Sequence, residues 1–182
     1  MGRSDRDCAV ALRKGFKNES GTVVRSGCAI GLGIMKDVAS RQDLADVVGK
    51  QVDADLRGYC CVALGMLGDT DPQITKFLVE IVEKVNVPEL KAAAALALAK
   101  IGTSQEAIAV LRKALLDKNR YFQMSAIIAL GYFRDLSTSK DLIKHFQRET
   151  NAEAKAITGV ALGYIGESAP TPVLKAISVD FD

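Results

Sequence analysis

The stretch that decides the fold is CVALGMLGD, residues 61–69, because it returns four more times along the chain. The related segments are AIGLGIMKD (29–37), ALALAKIGT (95–103), IIALGYFRD (127–135) and GVALGYIGE (159–167). Their aligned leucines, Leu32, Leu64, Leu98, Leu130 and Leu162, stand 32, 34, 32 and 32 residues apart. Self-similarity at a fixed period of this length marks an architecture of stacked units, each too small to bury its own apolar face. A second set of leucines, Leu12, Leu44, Leu78, Leu111 and Leu142, precedes the first by 20, 20, 20, 19 and 20 residues. Each lies in a segment of helical periodicity, such as Ile74/Phe77/Leu78/Ile81/Val82 or Leu142/Ile143/Phe146. Every unit is therefore an outer amphipathic helix, a turn and a more apolar inner helix. No stretch alternates with period two over a useful length, so no strand is expected.

Helix punctuation agrees with this division. Asp53, Asn119 and Asn151 stand where a side-chain oxygen can accept the free amide hydrogens at the start of an inner helix. Pro88 takes the first-turn place in the third unit, where its missing N–H costs nothing. Gly68, Gly102 and Gly166 are expected to close three inner helices in a left-handed turn. Lys36 and Arg134 hold that slot in the other two, so those turns either differ or bear strain. Small residues flank each aligned leucine: Gly31, Ala63, Ala97, Ala129 and Ala161 before it, and Gly33, Gly65, Ala99, Gly131 and Gly163 after it. Glycine inside a helix is unfavourable by about 0.5–1 kcal/mol relative to alanine. Its recurrence implies a compensating close approach between neighbouring helices. Cys28 and Cys60 share a slot with Ala94, Ala126 and Thr158 and read as small core residues.

These observations predict one all-α domain over residues 1–182: a right-handed α-solenoid, or α/α superhelix, of five helix pairs plus a terminal helix. The repeats fall at about 5–36, 37–69, 70–103, 104–135 and 136–167, with the last helix at 170–178. That half-unit, preceded by Pro170 and Pro172, either caps the stack or marks a segment of a longer array or of an end-to-end pair.

The pattern [Arg/Lys]-x6-Leu-Gly-x-[Leu/Ile]-Gly-[Asp/Glu] resembles HEAT repeats of the kind described in phycobilisome lyases. Arg57 with Leu64-Gly65-Met66-Leu67-Gly68-Asp69 carries it, as does Lys155 with Leu162-Gly163-Tyr164-Ile165-Gly166-Glu167. The basic position holds Arg25, Arg57, Lys91 and Lys155 and departs only at Gln123. Acids stand six places upstream at Glu19, Asp117 and Glu149. The resemblance implies a structural acid–base ladder between layers. It also implies functions as varied as scaffolds, transport factors and bilin-type chromophore lyases, so fold and function separate here.

Composition narrows the choice. A quarter of the residues are charged, 48% are apolar and the net charge is +2, as in an ordinary globular protein. Basic residues are interleaved with acids rather than gathered on one face, and tryptophan is missing, which argues against nucleic acid as a partner. The charged opening MGRSDRDCAVALRKG is not expected to act as a signal peptide, and no apolar run reaches the roughly 20 residues of a membrane span. Cys8, Cys28, Cys60 and Cys61 form no disulfide or zinc pattern, so a reducing, cytoplasmic compartment is expected by default. Metal-dependent hydroxylases built on similar repeats use paired His-Glu motifs. Here the lone His145 is followed by Phe146 and is expected to face solvent, so neither metal nor cofactor is expected.

What remains is binding. Two residues after each aligned leucine, and five before, side chains project away from the outer helices. All four tyrosines fall on that side. The expected protein-binding surface is a concave face bearing Tyr59, Met66, Tyr121, Tyr132 and Tyr164. The leading expectation is a non-enzymatic scaffold or adaptor for a protein partner. The alternative is a subunit of a bilin lyase or another modifying enzyme.

Overall fold

In the computed structural model, residues 3–50, 52–68, 71–102 and 104–167 are described. They form ten α-helices and no strand. The five pairs are α1 (Arg3–Asn18) with α2 (Thr22–Ile34), α3 (Arg41–Gly49) with α4 (Ala54–Leu67), and α5 (Pro72–Lys84) with α6 (Pro88–Ile101), followed by α7 (Gln105–Ala114) with α8 (Arg120–Phe133) and α9 (Ser139–Arg148) with α10 (Ala152–Glu167). This is an all-α fold of the solenoid class. The helix expected at 170–178 lies outside the described residues.

The chain forms two compact units, Met1–Gly102 and Thr103–Asp182. In the first, α4 is central: it packs on α2 and α6, the inner helices before and after it, and on its own outer helix α3. In the second, α8 packs on α10, and each is backed by its outer helix, α7 or α9. The aligned leucines Leu32, Leu64, Leu98, Leu130 and Leu162 are all at most 4% exposed. Leu44, Leu78, Leu111 and Leu142 on the outer helices are fully buried, and Leu12 is half-buried. The two leucine series thus meet between the helices of each pair.

Main-chain contact fixes the distance between neighbouring inner helices. A Cβ placed on Gly33 would lie 2.9 Å from Ala63 Cα, and one on Gly65 would lie 2.7 Å from Ala97 Cα. In the second unit, a Cβ on Gly131 would lie 2.7 Å from Ala161 Cα. In each case the residue after one leucine sits on the residue before the next. Only a missing side chain allows that approach.

Helix ends follow the sequence with two exceptions. Asp53 accepts from Leu56 N, Asn119 from Phe122 N and Asn151 from Ala154 N, at 2.9, 3.0 and 2.9 Å. Gly102 does not take the expected left-handed turn: it follows α6 at φ +126, ψ 176, a region open essentially to glycine alone, whereas Gly68 closes α4 in the left-handed region at φ +67. Lys36 and Arg134 take the same left-handed turn with full side chains, at φ +53 and +52. Strain, rather than a different turn, is the outcome there. Asp37 N bonds to Leu32 O and Lys36 N to Gly33 O, the paired bonds that close a helix in this way. Gly166 departs from expectation: it is buried inside α10, which continues helically to Glu167, so the chain does not reverse at that glycine.

Candidate binding surfaces

The recurrent basic position acts within a pair. Arg25 Nε donates to Phe16 O, and Arg57 Nε to Val48 O, both at 2.9 Å. Gln123 Nε2 donates to Leu115 O at 2.7 Å. All three carbonyls lie at the C-terminal end of the preceding outer helix, where the last turn leaves acceptors without amide partners. A donor from the inner helix therefore ties the two helices of a pair together. An amide does this as well as a guanidinium, which explains the one departure at Gln123. Lys155 lies over the Phe146 ring, with Nζ 5.0 Å from its centroid, and Lys91 is half-buried in the first turn of α6. Two of the three upstream acids cap their loops instead of meeting the basic position: Asp117 accepts from Asn119 N, and Glu149 from Asn151 N, both at 2.8 Å.

Other residues carry charge from layer to layer. Arg13 pairs with Asp37, Lys17 with Asp43 and Arg41 with Asp71 in the first unit, at 3.1, 2.8 and 3.3 Å. In the second, Arg112 pairs with Asp141 and Arg120 with Glu149, both at 2.7 Å. Several of these pairs are separated by 29 or 30 residues, close to the repeat period. That spacing was the available signal in the sequence.

The tyrosines divide between the two units. In the first, Tyr59 on α4 is 48% exposed and borders a depression of about 420 Å³ between α2 and α4, together with Val23, Ile30, Asp53 and Asp55. Met66, further along α4, is half-buried. In the second unit, Tyr132 on α8 and Tyr164 on α10 stack with ring centroids 5.1 Å apart. Their phenols hydrogen-bond to each other, which raises the Tyr164 pKa above the ordinary tyrosine value. Arg134 stands 6.0 Å from the Tyr164 centroid and pairs with Glu167 at 3.1 Å. Tyr121 projects from the start of α8, 58% exposed.

The family profile for HEAT repeats matches residues 50–131 and 75–163. The chain belongs to the HEAT-repeat family. No curated protein matches it. Among solved structures, human deoxyhypusine hydroxylase in complex with glycerol is similar, at 16% identity and a TM-score of 0.43, over 99% of this chain and 88% of that one.

One HEAT pair holds a polar cluster where solvent exposure was expected. The His145 side chain on α9 is only 10% exposed. Its Nδ1 lies 3.0 Å from Thr158 Oγ1, and that hydroxyl donates to Ala154 O at 2.7 Å. Thr158 fills the small core slot that Cys60, Ala94 and Ala126 occupy in other pairs. Its buried hydroxyl needs a second partner and draws the imidazole inward. A threonine in an otherwise apolar slot, opposite the chain's one histidine, was the sequence signal.

Among the described residues no three His, Cys, Asp or Glu side chains converge as a metal site would require, and no helix is long and apolar enough to cross a membrane. Cys60 and Cys61 are fully buried; burial pushes the Cys60 thiol up to about 12 and the Cys61 thiol higher still. Cys8 is exposed.

Proposed function

We propose that this HEAT-repeat protein is a non-enzymatic adaptor that captures a protein partner through tyrosine-bearing surfaces of its inner helices. The observation carrying this reading is the placing of tyrosine. Tyr59, Tyr121 and Tyr132 are each roughly half exposed on inner helices, although a buried phenol ring is among the largest stabilising groups available. Tyrosine offers wide contact area with few torsions to restrict and keeps a polar tip, which suits recognition of another protein. The stacked Tyr132–Tyr164 pair is held by a mutual hydrogen bond and by Arg134, so little order remains to be imposed on binding. Stacked helical pairs present extended surfaces of this kind.

The test compares proteins captured from the native host by the wild-type chain and by a Tyr132→Ser/Tyr164→Ser variant. The expected result is one or more partners lost from the variant while its far-UV circular dichroism and Tm stay close to wild type. An unchanged set of captured proteins would remove these tyrosines from the interface. Loss of folding would show that they serve the core instead.

A further inference from the structure

Away from the tyrosines, the second unit has a depression of about 380 Å³, lined from α7, α9 and the turns that follow them, with Gln123 of α8. Its volume falls within the range of small-ligand sites. Three cations line it: Arg112, Lys144 and Arg148. Two acids line it as well, but both are engaged, Asp141 by Arg112 and Glu149 by Arg120. Lys144 and Arg148, one helical turn apart on α9, have no ion pair among the described residues, so positive charge is in excess.

His145 adds a polar atom with a defined role. Because the Thr158 hydroxyl donates to Ala154 O, its oxygen must accept from His145 Nδ1–H. In the neutral ring the proton is therefore on Nδ1, and Nε2 carries a lone pair. Nε2 is buried and has no hydrogen-bond partner; the nearest carboxylate oxygen, Glu149 Oε2, is 3.5 Å away. Two acceptors facing each other lack a proton between them. Beside them stands Leu116, 89% exposed at the rim of the same depression.

Cations in excess and an apolar rim together describe a ligand class. A carboxylate brings one negative charge to the two cations without an ion pair, whereas a phosphomonoester, with a second pKa of about 6, carries close to two near neutral pH. We propose that this depression binds a phosphomonoester, with Lys144, Arg148 and Arg112 facing its oxygens and Leu116 against its organic group, its charge drawing a proton into the gap between His145 Nε2 and Glu149. The groups facing His145 fit this arrangement. Glu149 at the end of α9 favours protonation of the ring, and Arg120 from α8 opposes it. Lys155 from α10 is directed onto Phe146, and Asp141 is held by Arg112. A bound dianion tips this balance toward the imidazolium.

His145 is the one histidine of the chain, so its ring resonances report on the site directly. The full-length protein is titrated from alkaline to acid pH by NMR, once with phenyl phosphate and once with sodium chloride at equal ionic strength. The expected result is a His145 midpoint higher by about one unit with phenyl phosphate, the shift a nearby charge commonly causes. A Lys144→Ser/Arg148→Ser variant, altered only at exposed side chains, is expected to fold normally and lose that shift. Equal midpoints in the two salts, or a wild-type shift in the double variant, would overturn the proposal. A third arm separates the sources of the ester. A phosphoserine peptide with a neighbouring leucine that saturates the shift at lower concentration than phenyl phosphate points to a modified partner chain, and the reverse order points to a free metabolite; either result supports the site.

Discussion

At the scale of single residues, two positions are held in a backbone conformation that their side chains disfavour. Lys36 and Arg134 sit at positive φ, where L-residues other than glycine are disfavoured by about 1–2 kcal/mol. Lys36→Gly is expected to raise stability by about 0.5–1 kcal/mol, read as a higher midpoint in urea with an unchanged slope. Arg134→Gly is expected to yield less, because it also removes the Glu167 pair and the contact with Tyr164. His145 makes a pH prediction. Burial lowers its pKa below 6.5, with Arg120 adding to the effect and Glu149 opposing it. The unfolded chain then takes up the proton more readily. The stability contributed by the neutral ring is complete above the unfolded pKa and is lost as pH falls through the lowered folded value. His145→Gln retains an N–H donor for Thr158 without titrating. It is expected to flatten the fall in stability as pH drops below about 6.5, measured by urea denaturation at each pH.

At the scale of helices, the glycines that follow the aligned leucines separate close packing from helix propensity. Gly65→Ala and Gly131→Ala improve propensity but place a methyl carbon 2.7 Å from a main-chain carbon of the next inner helix. Overpacking of this kind is expected to destabilise by about 1–3 kcal/mol. Gly27→Ala, in α2, meets nothing within 4 Å and is expected to stabilise by about 0.5–1 kcal/mol. Opposite signs for one chemical change, read from thermal or urea midpoints, check the assignment. This scale was also the most legible in the sequence. Leu64 and Gly65 state which face is buried and how near the neighbour comes, because periodicity and residue size are local properties. Partners were less legible. Arg57 was expected to meet an acid in another layer, yet it bonds to Val48 O within its own pair, since the last turn of a helix leaves carbonyls without amide partners. The burial of His145 depends on Thr158, 13 residues away on another helix, and no property of α9 alone reveals it.

At the scale of the whole molecule, the four cysteines offer a graded probe of opening. Cys8 is exposed and Cys28 half-buried, whereas Cys60 and Cys61 are fully buried in α4 with thiols pushed far toward the protonated form. A thiol reagent is expected to modify Cys8 rapidly in the native protein. Cys60 and Cys61 should react only at the rate at which the packing around α4 opens. Mass spectrometry of labelled peptides over time reads this directly, and rapid native labelling of Cys61 would contradict the buried position of α4.

The glycine–alanine contacts also bear on how such a chain can grow. Each inner helix that takes part offers a dent on one side and a small bump on the other, so a copy of the module fits onto its original without inventing a new interface. Duplicating residues 37–68 in tandem sets Gly65 of one copy against Ala63 of the next, the same partnership by which Gly33 meets Ala63. Length is therefore open to tandem gene duplication, while a slip of one position along the neighbouring helix would drive a leucine into the dent and be rejected by steric exclusion.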